Sequence, residues 1–221
     1  MWQKEDGTYC CVIGGRTEDG GGQILLFSSS DGFSWKYEKV LAANNNRFGL
    51  MWECPDFFIL DGKAVLLTSP QDMLPVGFEY HNGNGTLCLI GDFDEATSTF
   101  TEQYNQSIDY GIDFYAPQTV LTPDGRRVMI GWMQNWDTCS IKAQNTLWFG
   151  QMSIPRELHV KNGRLYQTPI QELNQLRRNR VEYHDVLLGN KISDRIVLKE
   201  ISGRKVDMEL TIRPEEGQDI Y

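Results

Sequence analysis

Glu53 is the residue whose setting most invites a chemical reading, in the run Trp52-Glu53-Cys54-Pro55-Asp56-Phe57. Sixty-odd residues later a second run, Phe114-Tyr115-Ala116-Pro117-Gln118-Thr119, has the same shape. Setting Pro55 against Pro117 places Glu53 opposite Tyr115. If the two runs are equivalent strands of a repeated unit, a carboxyl and a phenol converge on one polar cavity. A carboxyl can give up and recover a proton there, and an aromatic hydroxyl can pack on and hydrogen-bond to a sugar ring. The apolar residues beside Glu53 (Met51, Trp52, Phe57 and Phe58) suggest a dry setting in which a carboxyl could act as an acid. Read alone, a glutamate at a strand entry could equally serve as a cap or an ion-pair partner. Asp113, two residues before Tyr115, is expected on the same strand face, to bind a hydroxyl or to brace Glu53. Trp136, read alone, is core or loop packing, and Trp132 reads as core. Cys54 is expected to pack against Glu53 and not to act as a nucleophile, because no histidine stands near it in sequence.

Something must hold these runs in place, and the chain offers a repeat. Asp6-Gly7, Asp61-Gly62, Asp124-Gly125 and Asn162-Gly163 are each flanked by apolar segments rich in β-formers. Such dipeptides supply the positive φ angles that tight hairpins need. Further apolar segments follow the first three turns: Ile24–Ser28, Leu87–Gly91 and Leu147–Gln151. A unit of about four strands recurring every 50-odd residues is the pattern of a β-propeller, with a plain β-sandwich as the alternative. Helical periodicity is nearly absent. The predicted fold is all-β: a β-propeller repeat over residues 1–176, then a second stretch over 177–221. In that second part Arg195–Leu198 and Val206–Ile212 alternate like half-buried strands.

The rest of the composition narrows the function. The 221 residues carry a formal net charge of -9 and are 40% hydrophobic and 23% charged. An acidic chain without a basic patch is a poor partner for nucleic acid or an anionic membrane, and no apolar run is long enough for a membrane span. The five cysteines, Cys10, Cys11, Cys54, Cys88 and Cys139, form no CxxC pair, and His81, His159 and His184 are scattered. Neither a disulfide framework nor a metal site is expected, and the cysteine usage suits a reducing cytoplasm. Gly20-Gly21-Gly22 lacks the ending of a phosphate loop.

The segment Trp52–Asp56 resembles the acid/base motif of glycoside hydrolase family 32, which includes invertases, sucrose-6-phosphate hydrolases, levanases and inulinases. Asp109–Ala116, Gly131-Trp132-Met133 and Ser153–Leu158 resemble further motifs of that family, in the same order. The resemblance implies a five-bladed propeller followed by a β-sandwich. It implies cleavage of terminal β-D-fructofuranosyl bonds with retention, Glu53 as the acid/base, and no cofactor. Trp52, Cys54, Asp113, Tyr115 and Trp136 become the expected substrate-binding residues, and a small carbohydrate the expected partner. Two family motifs, the Asn-Asp-Pro-Asn of the nucleophile and the Arg-Asp-Pro of a stabilising aspartate, have no counterpart here. The first blade and part of the second are therefore expected to be missing, and uncovered edges to promote self-association. A fructosyltransferase and a non-catalytic sugar-binding propeller piece are the competing readings.

Overall fold

The computed structural model describes all but residues 82, 142–146, 188, 190–194 and 214–221. It divides into two units, Met1–Ile170 and Gln171–Tyr221. The first is three antiparallel four-stranded sheets. Sheet one holds β1 (Trp2–Gln3), β2 (Tyr9–Arg16), β3 (Gly22–Ser29) and β4 (Lys36–Ala43) in that order. Sheet two holds β5 (Met51–Leu60), β6 (Lys63–Gln71), β7 (Leu87–Asp94) and β8 (Thr99–Ser107), again in chain order. Sheet three holds β9 (Tyr115–Leu121), β10 (Arg127–Trp132), β11 (Arg156–Lys161) and β12 (Arg164–Pro169). Each sheet is a meander, as in a propeller blade, and the four Asp-Gly and Asn-Gly turns join β1 to β2, β5 to β6, β9 to β10 and β11 to β12. At Asp61-Gly62 and Asn162-Gly163 both residues have positive φ, 49° and 77° in the first and 51° and 73° in the second. They make two-residue hairpins whose strands pair from the first residue on either side.

The core explains the order of the sheets. Along β6 and β7 the side chains alternate between two clusters, because successive residues of a strand face opposite ways. Ala64, Leu66, Leu87 and Leu89 pack with Ile24, Leu26 and Leu41 of sheet one. Val65, Leu67, Cys88 and Ile90 pack with Met129, Leu158 and Val160 of sheet three. Sheet two is thus buried on both faces, which is why Ala64–Leu67 of β6 read as an unbroken apolar run. Close approach of the first two sheets depends on missing side chains: a Cβ at Gly14 would stand 2.2 Å from the Trp52 carbonyl oxygen.

Two expected elements differ. Leu147–Gln151 is not a strand; the third strand of sheet three is β11, which begins inside the Ser153–Leu158 segment. Gly150 at φ 87° breaks the extension, and Leu147 and Trp148 are exposed. In the second unit Gln171–Leu176 is a 3-10 helix, while Arg195–Leu198 and Val206–Ile212 form no strand. Their alternating apolar residues need a neighbouring strand to bury against, and none of the described residues supplies one; Met208 and Leu210 stay exposed. Among the described residues no helix is long and apolar enough to cross a membrane.

Candidate active site

β5 and β9 share a local distortion at their aligned prolines. Between Glu53 and Asp56, β5 carries one residue more than β6 opposite it, and β9 does the same against β10 between Tyr115 and Gln118. These are β-bulges, which re-aim the side chains beside them. The extra residue is in the left-handed region in both: Cys54 at φ 46° and Ala116 at φ 49°. The two bulges also grip each other. The Ala116 N–H donates to Ser69 Oγ at 2.8 Å, and the Gln118 amide donates to the Cys54 carbonyl at 3.1 Å.

Side by side, the bulges bring the Tyr115 hydroxyl to 2.7 Å from Oε2 of Glu53. The same oxygen accepts from the Gln71 amide at 2.9 Å and from the Trp136 indole N–H at 3.2 Å. The phenol oxygen lies also 3.2 Å from the Ser69 carbonyl. A phenol has one hydrogen, so the contacts alternate with the state of the carboxyl. Toward ionised Glu53 the phenol donates to Oε2. Toward protonated Glu53 it can accept from the acid and turn its own hydrogen to Ser69. Burial, and next the hydrogen bond to Glu53, push the Tyr115 phenol well above its ordinary range, so it keeps its proton.

The loop after β10 supplies Trp136. Asp113 holds this loop: one carboxylate oxygen accepts from the Asn135 amide and the other from the Thr138 hydroxyl at 3.5 Å. A second tie runs from the Asn84 amide to Asp137 at 3.0 Å. Tyr115, Trp132 and Trp136 then meet edge to face, with ring centroids 5.7 to 6.4 Å apart. Below them the three motifs that follow Glu53 interlock. Arg156 pairs with Asp109 at 2.8 Å and lies 4.5 Å over the Phe114 ring. Ser153 and Gly131 bond to each other, the Ser153 N–H to the Gly131 carbonyl at 2.8 Å and the Gly131 N–H to Ser153 Oγ at 3.1 Å.

The expected site residues sort unevenly onto this frame. Glu53, Tyr115 and Trp136 come together. Tyr115 is only 1% exposed, so it supports Glu53 and has no ring face to offer a sugar. Trp136 is 51% exposed and has one. Trp52 is fully buried against sheet one, its indole donating to the Phe48 carbonyl at 2.8 Å; strand alternation turns it away from Glu53. Phe57 and Phe58 likewise point into the two cores, so Glu53 meets polar donors in place of the dry surroundings expected of it. Asp113 precedes β9 in a loop and braces Trp136's loop, not Glu53. Cys54 is exposed on the bulge, its thiol raised by partial burial and next by the Glu53 charge. Trp132, expected as core, is half-buried in the aromatic cluster.

Sequence reasoning missed Gln71. The hairpin register counted back from Asp61-Gly62 would set Glu53 opposite Pro70. The bulge moves it to Ser69, which leaves Gln71 diagonal to Glu53 and within reach. The proline in each run was the available signal for that irregularity.

Residues 1–169 match the profile of the glycosyl hydrolases family 32 N-terminal domain. A raffinose invertase of Escherichia coli is 38% identical over 178 residues, 80% of this chain and 37% of that protein. A sucrose-6-phosphate hydrolase of the same species is 34% identical over 210 residues, 95% of this chain and 43% of that one. Among solved structures, the Bombyx mori GH32 beta-fructofuranosidase BmSUC1 superposes with a TM-score of 0.74 at 36% identity, covering 82% of this chain and 38% of that one. The chain thus spans about two fifths of the length of these relatives. With the profile running from Met1 through the last strand of the third sheet, the chain belongs to glycosyl hydrolase family 32.

Proposed function

We propose that this chain is the acid/base half of a retaining hydrolase for terminal β-D-fructofuranosyl bonds, with Glu53 as the proton donor and acceptor. The observation that carries this reading is the Glu53 carboxyl held by Tyr115, Gln71 and Trp136, beside an exposed indole face. In such a reaction an aspartate attacks the anomeric carbon of fructose while Glu53 protonates the departing oxygen. Glu53 then takes a proton from the water that releases the sugar. The attacking aspartate belongs to a motif without counterpart in these residues, and retention asks that it stand roughly 5–5.5 Å from Glu53. Trp136 offers its face to a ring, and Cys54, exposed on the bulge, follows Glu53 along β5. Sucrose, sucrose 6-phosphate and fructans all present the bond in question.

The test is Glu53→Gln in the intact enzyme. The swap keeps the shape and the hydrogen-bond acceptor but removes the transferable proton. Turnover of sucrose or sucrose 6-phosphate should fall about 10²–10⁴-fold, the usual worth of a general acid. A variant within threefold of the parent would end the assignment.

A further inference from the structure

The three donors to Glu53 stand on three separate segments: Gln71 ends β6, Tyr115 opens β9 and Trp136 follows β10. Each is the sequence neighbour of a residue held by one short stretch, Asn84 to Thr86, in the connection from β6 to β7. The Asp72 N–H, next to Gln71, donates to the side-chain oxygen of Asn84 at 3.4 Å. The Asn84 amide donates to Asp137, next to Trp136, at 3.0 Å. The Thr86 hydroxyl donates to the carbonyl of Phe114, next to Tyr115, at 3.0 Å. Asn84 and Thr86 are only 5% and 4% exposed, so both side chains are shielded from water, where an unmade hydrogen bond is costly. An asparagine suits the bridge because one end accepts while the other donates. Asp72 leaves β6 at φ 58°, a turn that aspartate tolerates, and Asn84 catches its N–H there. One planar amide thus sets the spacing between Asp72 and Asp137, and with it the spacing of two donors on Glu53.

We propose that Asn84 is a positioning residue for the proton-transfer step. Acting through Asp72 and Asp137, it holds Gln71 and Trp136 at the separation that aims the Glu53 carboxyl at the departing oxygen. The inference rests on the reading of Glu53 as the proton donor and adds to it a buried side chain from another connection. Loss of the bridge leaves Glu53 in place but lets two of its donors drift, and protonation is sensitive to such drift because it needs the acid within hydrogen-bond reach.

The experiment measures kcat/KM of the intact enzyme on two substrates. Sucrose needs a proton on its departing oxygen, whereas 4-nitrophenyl β-D-fructofuranoside has a leaving group stable enough to depart without one. Asn84→Ala should lower kcat/KM for sucrose about ten- to hundredfold, the scale of a roughly 1 Å misplacement, and spare the nitrophenyl substrate to within about threefold. Asn84→Asp should do the same, since it sets two carboxylates face to face. Adding Asp137→Asn to it exchanges donor and acceptor and should restore most of the sucrose activity. That exchanged pair decides the matter should Asn84→Ala fail to fold. Parent-like activity of Asn84→Ala, or equal losses on the two substrates, would overturn the inference and leave the reading of Glu53 standing. So would an exchanged pair as poor on sucrose as Asn84→Asp alone. Were Glu53→Gln itself to spare sucrose, both readings would fall.

Discussion

At the scale of single residues, Tyr115 shows how a side chain can matter to chemistry without touching substrate. Its hydroxyl is the shortest of three bonds to one oxygen of Glu53, and its ring is sealed beneath Trp132 and Trp136. The buried phenol has a test in alkaline solution. Its folded-state pKa stands above the ordinary value of about 10. The stabilisation it contributes is complete below pH 10 and is lost as the pH rises from there toward the folded value, because the unfolded chain ionises first. Tyr115→Phe should cost about 1 kcal/mol near neutrality, the worth of one buried hydrogen bond. Between pH 8 and pH 11 the variant should lose less stability than the parent in urea titrations. Equal losses would show that this phenol is not the group that titrates. Tyr115 was legible from the proline alignment, since that alignment depends only on a local repeat. Trp52 was misread because neighbours along a strand face opposite ways, so the residue next to Glu53 in sequence is the one turned into the core.

At the scale of elements, the paired bulges of β5 and β9 and the close packing of β2 on β5 do the positioning. Hairpins were readable because Asp-Gly and Asn-Gly carry their own backbone angles. The strand at Leu147–Gln151 was misread because an apolar run satisfies the same pattern whether it pairs or lies exposed. Gly14 and Gly15 offer a paired test of the packing. A methyl at Gly14 would press on the Trp52 carbonyl at 2.2 Å, whereas at Gly15 it meets only the Gln23 side chain at 3.9 Å. Gly14→Ala should destabilise by about 1–3 kcal/mol, as overpacking does. Gly15→Ala should be neutral or slightly stabilising, through the entropy of the unfolded chain. Thermal denaturation of both variants decides the matter, and similar effects at the two sites would refute the contact.

Across the whole molecule, the three sheets are unequal. The outer two keep a face on solvent: Ile13, Tyr37 and Val40 on sheet one, and Val120, Ile130 and Tyr166 on sheet three, are exposed. The all-β repeat was legible at this scale because turn dipeptides punctuate the apolar segments, the first three of them 55 and 63 residues apart. The second unit was not, because alternation states only that a face awaits a partner. Sheet two alone spends both faces, with Leu66 and Leu67, or Leu89 and Ile90, facing opposite clusters. Its amides can meet solvent only when both neighbouring interfaces open together, so they should behave as the slowest clock in the molecule. In deuterium oxide the β6 and β7 amides of Leu66, Leu67, Leu89 and Ile90 should be the last to exchange, well after those of β3 and β11. Were β3 or β11 to outlast them, the central sheet would not be the unit on which the opening of the others waits.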